Sequence, residues 1–117
     1  MKRDKQQPLS KFWLRKGLGL AKAGKYQEAI ECYEKAIEIN PNHEKAWYNK
    51  GVVLRQLGKL QEALECYDKA IEIKPNYEEA WYGKGLALGQ LGKFKEAIRY
   101  FAQACACILT LSDAWPR

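Results

Sequence analysis

Few side chains in this sequence could do chemistry. His43 is the only histidine, and the cysteines are Cys32, Cys66, Cys105 and Cys107. A structural zinc site takes four Cys or His ligands. Cys105 and Cys107 sit two apart in a helical pattern, which points them to different sides, and two further ligands are missing. Cys32 and Cys66 fall at the same place in successive units of the chain, as small packing residues would. No Gly-rich phosphate loop and no Ser/His/Asp or Cys/His set with a plausible partner occurs. Glu28, Glu31, Glu62 and Glu65 lie three or four positions from lysines, a spacing that supports a helix and not acid–base chemistry. The chain is not expected to be an enzyme. No catalytic residue, metal or cofactor is expected.

The elements that would position these groups follow from composition and spacing. The 117 residues suit one domain, with 47% hydrophobic and 29% charged side chains. No apolar run approaches the roughly 20 residues of a membrane-spanning helix. The start, MKRDKQQP, is basic with no apolar stretch behind it, so neither a secretory leader nor a disulfide framework is expected. A cytoplasmic location is the expectation. The net charge of +6 is concentrated early. Lys2, Arg3, Lys5, Lys11, Arg15, Lys16, Lys22 and Lys25 face only Asp4 before residue 26. No ladder of basic and aromatic residues accompanies them, so a solvated tail is expected and a nucleic acid is not.

One period organises the chain. Trp13, Trp47, Trp81 and Trp115 are each 34 residues apart. Gly17, Gly51 and Gly85 keep that step, as do Gly24, Gly58 and Gly92, then Ala29, Ala63 and Ala97, then Tyr33, Tyr67 and Phe101, then Ala36, Ala70 and Ala104, with Pro41 and Pro75. Each cycle has two helical halves. In the second cycle Ala46, Trp47, Lys50, Gly51, Leu54 and Leu57 form one stripe, closed by Gly58 as C-cap. Leu60, Ala63, Leu64, Tyr67, Ala70 and Ile71 form the other, which ends before Pro75. Small residues at Gly51 and Ala63 let the two helices approach. A lone hairpin cannot bury both faces, so stacking supplies the rest of the core.

These positions resemble the tetratricopeptide repeat family, whose signature places W, L-G, Y, A, F/Y, A and P across 34 residues. Trp13, Gly17, Leu20, Ala29, Tyr33, Ala36 and Pro41 carry it in the first cycle. Trp47, Gly51, Leu54, Ala63, Tyr67, Ala70 and Pro75 carry it in the second. Trp81, Gly85, Leu88, Ala97, Phe101 and Ala104 carry it in the third. Two departures recur in every cycle: Lys16, Lys50 and Lys84 replace a leucine, and Leu20, Leu54 and Leu88 replace a tyrosine. The resemblance implies an all-α fold, a right-handed superhelical solenoid of three helix-turn-helix hairpins with six to seven helices. The expected boundaries are a disordered basic tail over 1–9, repeats at 10–43, 44–77 and 78–111, and the truncated start of a fourth over 112–117.

The resemblance also implies a protein–protein interaction scaffold that holds a peptide or helix in its concave groove. The first helix of each hairpin would line it with Leu14, Arg15, Leu18 and Lys22, then Tyr48, Asn49, Val52 and Arg55, then Tyr82, Leu86 and Gln90. A peptide with apolar anchors and some acidic character suits such a surface. One branch of the family clamps acidic chaperone tails with Lys, Asn and Arg side chains. Only Asn49 matches that set, since Leu14, Leu18, Glu79 and Gly83 occupy the other places, so no such clamp is expected.

The third cycle ends differently. Leu109 stands where a proline is due, and the segment reads ACACILTL. An uncovered outer face with Tyr100, Ala104, Cys105 and Ile108, and with Trp115 beyond it, is expected there. Self-association through that end, as a homo-oligomer or structural module, is the alternative function. Folding back of residues 108–115 and continuation of a longer array are equally open readings.

Overall fold

A computed structural model describes the backbone of residues 2–111 and the side chains of residues 8–106. Within them the chain forms six helices and no strand: α1 (Lys2–Lys22), α2 (Tyr26–Ile39), α3 (Glu44–Gln56), α4 (Leu60–Ile73), α5 (Glu78–Gln90) and α6 (Phe94–Leu111). Successive helices pair as α1/α2, α3/α4 and α5/α6. The hairpins stack through α2 on α3 and α4 on α5, while α1, α3 and α5 touch edge to edge along one side. This is the all-α solenoid that the period predicts.

Each hairpin turn is built the same way. Gly24, Gly58 and Gly92 take φ of 81°, 82° and 84°, a left-handed conformation that glycine adopts without a Cβ penalty. In the second hairpin Gly58 N–H donates to Arg55 O at 3.0 Å, and Lys59 N–H to Leu54 O at 2.9 Å. These two bonds satisfy carbonyls that the end of α3 would otherwise leave open. The same pair recurs at Gly24/Lys25 and Gly92/Lys93. Between hairpins, the indole N–H of Trp47 donates to Pro41 O at 2.9 Å, and that of Trp81 to Pro75 O at 2.8 Å. The tryptophan of each unit therefore grips the loop of the unit before it.

The main buried cluster joins the first two hairpins and reaches Ala87 of the third, and Ala70, Tyr77 and Ala80 form a second cluster. Ala29, Ile30, Tyr33, Ala36, Ala46, Val53, Leu54, Ala63, Cys66 and Tyr67 belong to one buried cluster. Of the two glycine series, Gly17, Gly51 and Gly85 face aromatic rings. A Cβ placed on Gly51 would stand 2.9 Å from Cε1 of Tyr67, and one on Gly85 would stand 2.6 Å from Cε1 of Phe101. Removing bulk at these positions is what lets the ring lie flat between helices. Truncating such a buried ring typically costs roughly 3 to 5 kcal/mol.

The recurring lysines have a stacking role. Lys50 Nζ lies 3.2 Å from Glu34 of the preceding hairpin and 5.8 Å from the ring centroid of Trp47. Lys84 Nζ lies 2.6 Å from Asp68 and 4.1 Å from the ring of Tyr100. Desolvation alone would lower the Lys84 pKa, but its bonds to Asp68 and Tyr100 raise it above the ordinary lysine value. Lys16 and Lys35 both lie over Trp13, at 5.1 and 4.5 Å.

Two expectations need correcting, and one helix departs in length from its equivalents. Residues 2–9, read as a disordered tail, are helical backbone continuous with α1. Lys, Arg and Gln are good helix formers. The one breaker there, Pro8, is followed directly by an anchor: the buried Ser10 hydroxyl donates to Ala36 O at 3.1 Å. Tyr100 and Ala104, expected on an uncovered face, pack inside the third hairpin. Tyr100 stacks on Trp81 with ring centroids 5.5 Å apart and planes 21° apart, and Ala104 is buried. The large apolar side chains that the described part of α6 exposes are Phe94 and Ile98, and Cys105 is exposed as well. Finally, α6 spans 18 residues against 14 in α2 and α4, because Leu109 replaces the proline that stops the others. Residues 112–117, and the side chains of Cys107, Ile108 and Trp115, lie outside the described residues.

Candidate binding groove

The candidate groove lies along the side where α1, α3 and α5 meet. Helix periodicity puts one residue of each helix at equivalent depth, and the three sets differ in character. In α1, Leu14 is buried, Leu18 is half-buried, and Arg15 and Lys22 are exposed. Beside them Lys11, Leu14, Arg15, His43, Glu44 and Lys45 help line a hollow of about 790 Å³ against the α2–α3 loop. Burial pushes the His43 pKa below 6.5; Glu44 opposes this, and Lys45 and Lys11 add to it.

In α3, Tyr48 is half-buried between two other tyrosines. Its ring centroid is 5.9 Å from that of Tyr67 and 5.3 Å from that of Tyr77. Asn49 turns back on its own helix, with Nδ2 donating to Lys45 O at 2.8 Å. Val52 is half-buried one turn on. Arg55 reaches out of α3: Nε donates to the Tyr67 hydroxyl at 3.3 Å and Nη1 to Oε1 of Gln90 on α5 at 3.5 Å.

In α5, Tyr82 is 54% exposed, resting against Phe101 with centroids 5.4 Å apart. Leu86 is half-buried and Gln90 exposed. Gly83 takes the place held by Arg15 and Asn49 in the other helices, and the ring of Tyr67 fills the space beneath it.

The groove residues named from sequence fall into several sets, with Arg15 and Lys22 exposed and Leu18 half-buried on α1. Arg55 and Gln90 meet directly, and Tyr48, Val52, Tyr82 and Leu86 form a partly open apolar strip. Leu14 and Asn49 are committed to packing and to a backbone bond. Sequence reasoning missed Tyr67 and Tyr77 as the floor. The signal for Tyr67 was present in Gly83, whose lost side chain in an otherwise filled column calls for a ring from below. Burial raises the Tyr67 phenol pKa, while the Arg55 hydrogen bond and charge lower it; the net direction is up. It stays a neutral acceptor at pH 7.

This geometry is that of a helical-repeat solenoid whose odd-numbered helices share one side. The tetratricopeptide repeat profile matches residues 10–43 and 44–77, and a second tetratricopeptide repeat profile matches residues 66–99. The chain belongs to the tetratricopeptide repeat family, a protein-interaction fold that is not typically enzymatic. It is similar to the crystal structure of MamA, with a TM-score of 0.86 and 29% identity over 89% of this chain and 61% of that one. It therefore spans about three-fifths of MamA's length. It is equally similar, at a TM-score of 0.86 and 28% identity, to the second TPR of Spaghetti (RPAP3) bound to the HSP90 peptide SRMEEVD, covering 90% of this chain and 96% of that one. The first TPR of Spaghetti, bound to the same peptide, matches at 0.82 and 26% identity over 84% and 78%. No curated protein sequence matches. Among the described residues no helix is long and apolar enough to cross a membrane.

Proposed function

We propose that this chain is a protein-interaction module that holds an extended or helical peptide in the groove between α1, α3 and α5. The observation that carries the reading is Tyr82. A large aromatic side chain, more than half exposed, stands on the groove wall while its equivalent Tyr48 is half-buried against Tyr67 and Tyr77. An open aromatic beside the half-buried Leu86 and Val52 is the kind of anchor point that peptide grooves use. Peptide-bound neighbours of the same fold support the reading.

The acidic-tail clamp of the chaperone-binding branch is not the mode used. Its five positions hold Leu14, Leu18, Asn49, Glu79 and Gly83 here. The side chain that would be restored at Gly83 has no room above Tyr67, and Asn49 is bonded to its own helix. SRMEEVD is expected to bind weakly, and tight binding lost on Asn49→Ala would overturn this.

The test of the main reading is selection of displayed random short peptides against the chain. Enriched peptides should lose about tenfold or more in affinity on Tyr82→Ala, a change of about 1.4 kcal/mol, with the melting temperature unchanged. No enriched peptide, or peptides indifferent to Tyr82→Ala, would end it.

A second reading, self-association through α6, is favoured by Phe94 and Ile98, which are 67% and 66% exposed on one helix. Light scattering over a concentration series should then show a growing species. A constant monomer mass would remove it.

A further inference from the structure

We propose that Arg55 is the acid-reading residue of the groove: it binds a carboxylate side chain placed between the apolar anchors of the bound peptide. The inference rests on the peptide-groove reading and adds to it the chemistry of one ligand position. Arg55 belongs to no motif of the family signature; its equivalents in the other two repeats are Ala21 and Gly89.

A guanidinium carries a fixed positive charge and five N–H donors in a planar fork. Arg55 is partly withdrawn from water, yet its two hydrogen bonds go to neutral acceptors, the Tyr67 hydroxyl at 3.3 Å and the Gln90 amide oxygen at 3.5 Å. Both are long. The ion pairs formed among the described residues are Lys50–Glu34, Lys69–Glu72 and Lys84–Asp68, and no carboxylate lies within 4.0 Å of Arg55. A half-buried cation with donors to spare and no counter-charge is an incomplete arrangement, which an anionic ligand completes.

The surroundings fit that ligand and restrict it. The side chain crosses from α3 to α5, so it lies across the path of anything held in the groove. Tyr67 fixes Nε from below, which orients the fork before binding and limits the entropy lost on binding. On the α5 side, Gln90 touches Nη1, but a Cβ on Gly89 would have open space around it, so the approach beside Gln90 is left open. Val52 and Leu86 are half-buried on the same groove wall, and Tyr82 stands open further along α5. The site therefore offers one cation set in an apolar strip. Its ligand is a peptide in which a single Asp or Glu is flanked by apolar residues, not a run of acids. Pairing in such a partly dry setting discriminates more strongly than an exposed ion pair does.

The experiment is the same display selection, run in parallel on the wild-type chain and on Arg55→Glu. Wild type should enrich Asp or Glu at one position between apolar residues, and Arg55→Glu should enrich Lys or Arg at that position. The best wild-type peptide is then resynthesised with its acid changed to the amide (Glu→Gln or Asp→Asn). Its affinity should fall about 10- to 100-fold, the range for a charge-assisted bond. That loss should disappear when measured against Arg55→Met and largely persist against Arg55→Lys. The amide substitution uses the unaltered protein, so an unchanged affinity there overturns the proposal even if an Arg55 variant unfolds. Peptides without an acidic position, or an amide loss that remains in Arg55→Met, would overturn the role of Arg55 while leaving the groove reading intact. Failure to enrich any peptide would overturn both.

Discussion

The ring of Tyr67 passes directly beneath Gly83: a Cβ placed on that glycine would stand 2.8 Å from Cε1 and from Cζ of the tyrosine. The two residues belong to different hairpins, so this contact sets how closely the third unit settles on the second. Gly83→Ala should push the hairpins apart and cost about 1 to 3 kcal/mol, as overpacking does. Gly19 gives the contrast, since its helical site has no neighbour within 4 Å of a Cβ. Gly19→Ala should gain up to about 1 kcal/mol from helix propensity. Urea unfolding reads both, and a Gly83→Ala chain as stable as wild type would show that the contact is slack.

The equivalent tyrosines should behave in opposite ways. Tyr48 touches Tyr67 and Tyr77, whereas Tyr82 is 54% exposed and rests on Phe101 alone among the aromatic rings. Tyr48→Ala should cost roughly 3 kcal/mol, at the level of a truncated core aromatic. Tyr82→Ala should change stability by about 0.5 kcal/mol or less. Thermal melts of the two variants check this, and equal losses would contradict the packing described.

Cysteine reactivity should divide by repeat. Burial pushes the Cys66 thiol up to about 11, with Lys50 pulling against it and Glu65, Glu62 and Glu34 adding to it. At pH 8 almost none of it is thiolate, the reactive form. Cys105 is exposed. Iodoacetamide on the native chain should modify Cys105 first, and Cys66 only as fast as the protein opens. Peptide mapping by mass spectrometry resolves the sites, and early labelling of Cys66 would refute its burial.

His43 should titrate below 6.5, because burial disfavours its charged form more than Glu44 restores it. The folded chain then takes up this proton less readily than the unfolded one. The stability involved is present above the unfolded pKa and is lost as pH falls through 6.5 towards the folded midpoint. Since the chain has one histidine, its imidazole proton signals give the midpoint without assignment. A value above 6.5 would mean that Glu44 governs the site instead.

Much of the fold was legible in the sequence because it is written three times. Trp47 and Trp81 recur in register and make the same bond to Pro41 and Pro75, and Gly24, Gly58 and Gly92 make the same turn. What was not legible lies where the repeats differ. Tyr100 holds the place of Cys32 and Cys66, and nothing in its identity says whether it faces outward or stacks on Trp81; that depends on the room beside a neighbouring helix. Arg55 and Gln90 are 35 residues apart and meet only because α3 and α5 run side by side. The lysines at 16, 50 and 84 looked like departures from the family pattern. They gained meaning once Glu34 and Asp68 stood opposite Lys50 and Lys84.

Those two ion pairs share one more property: each joins residues sixteen positions apart, with the acid on the earlier hairpin and the lysine on the later. The joint has the same direction at both seams, Glu34 serving at one and Asp68 at the other, so the back of each unit matches the front of the next. A copy of residues 44–77 spliced in after itself would present a lysine to the unit before it and an acid to the unit after it. The trough would lengthen by one rung, and the rungs already present would keep their spacing.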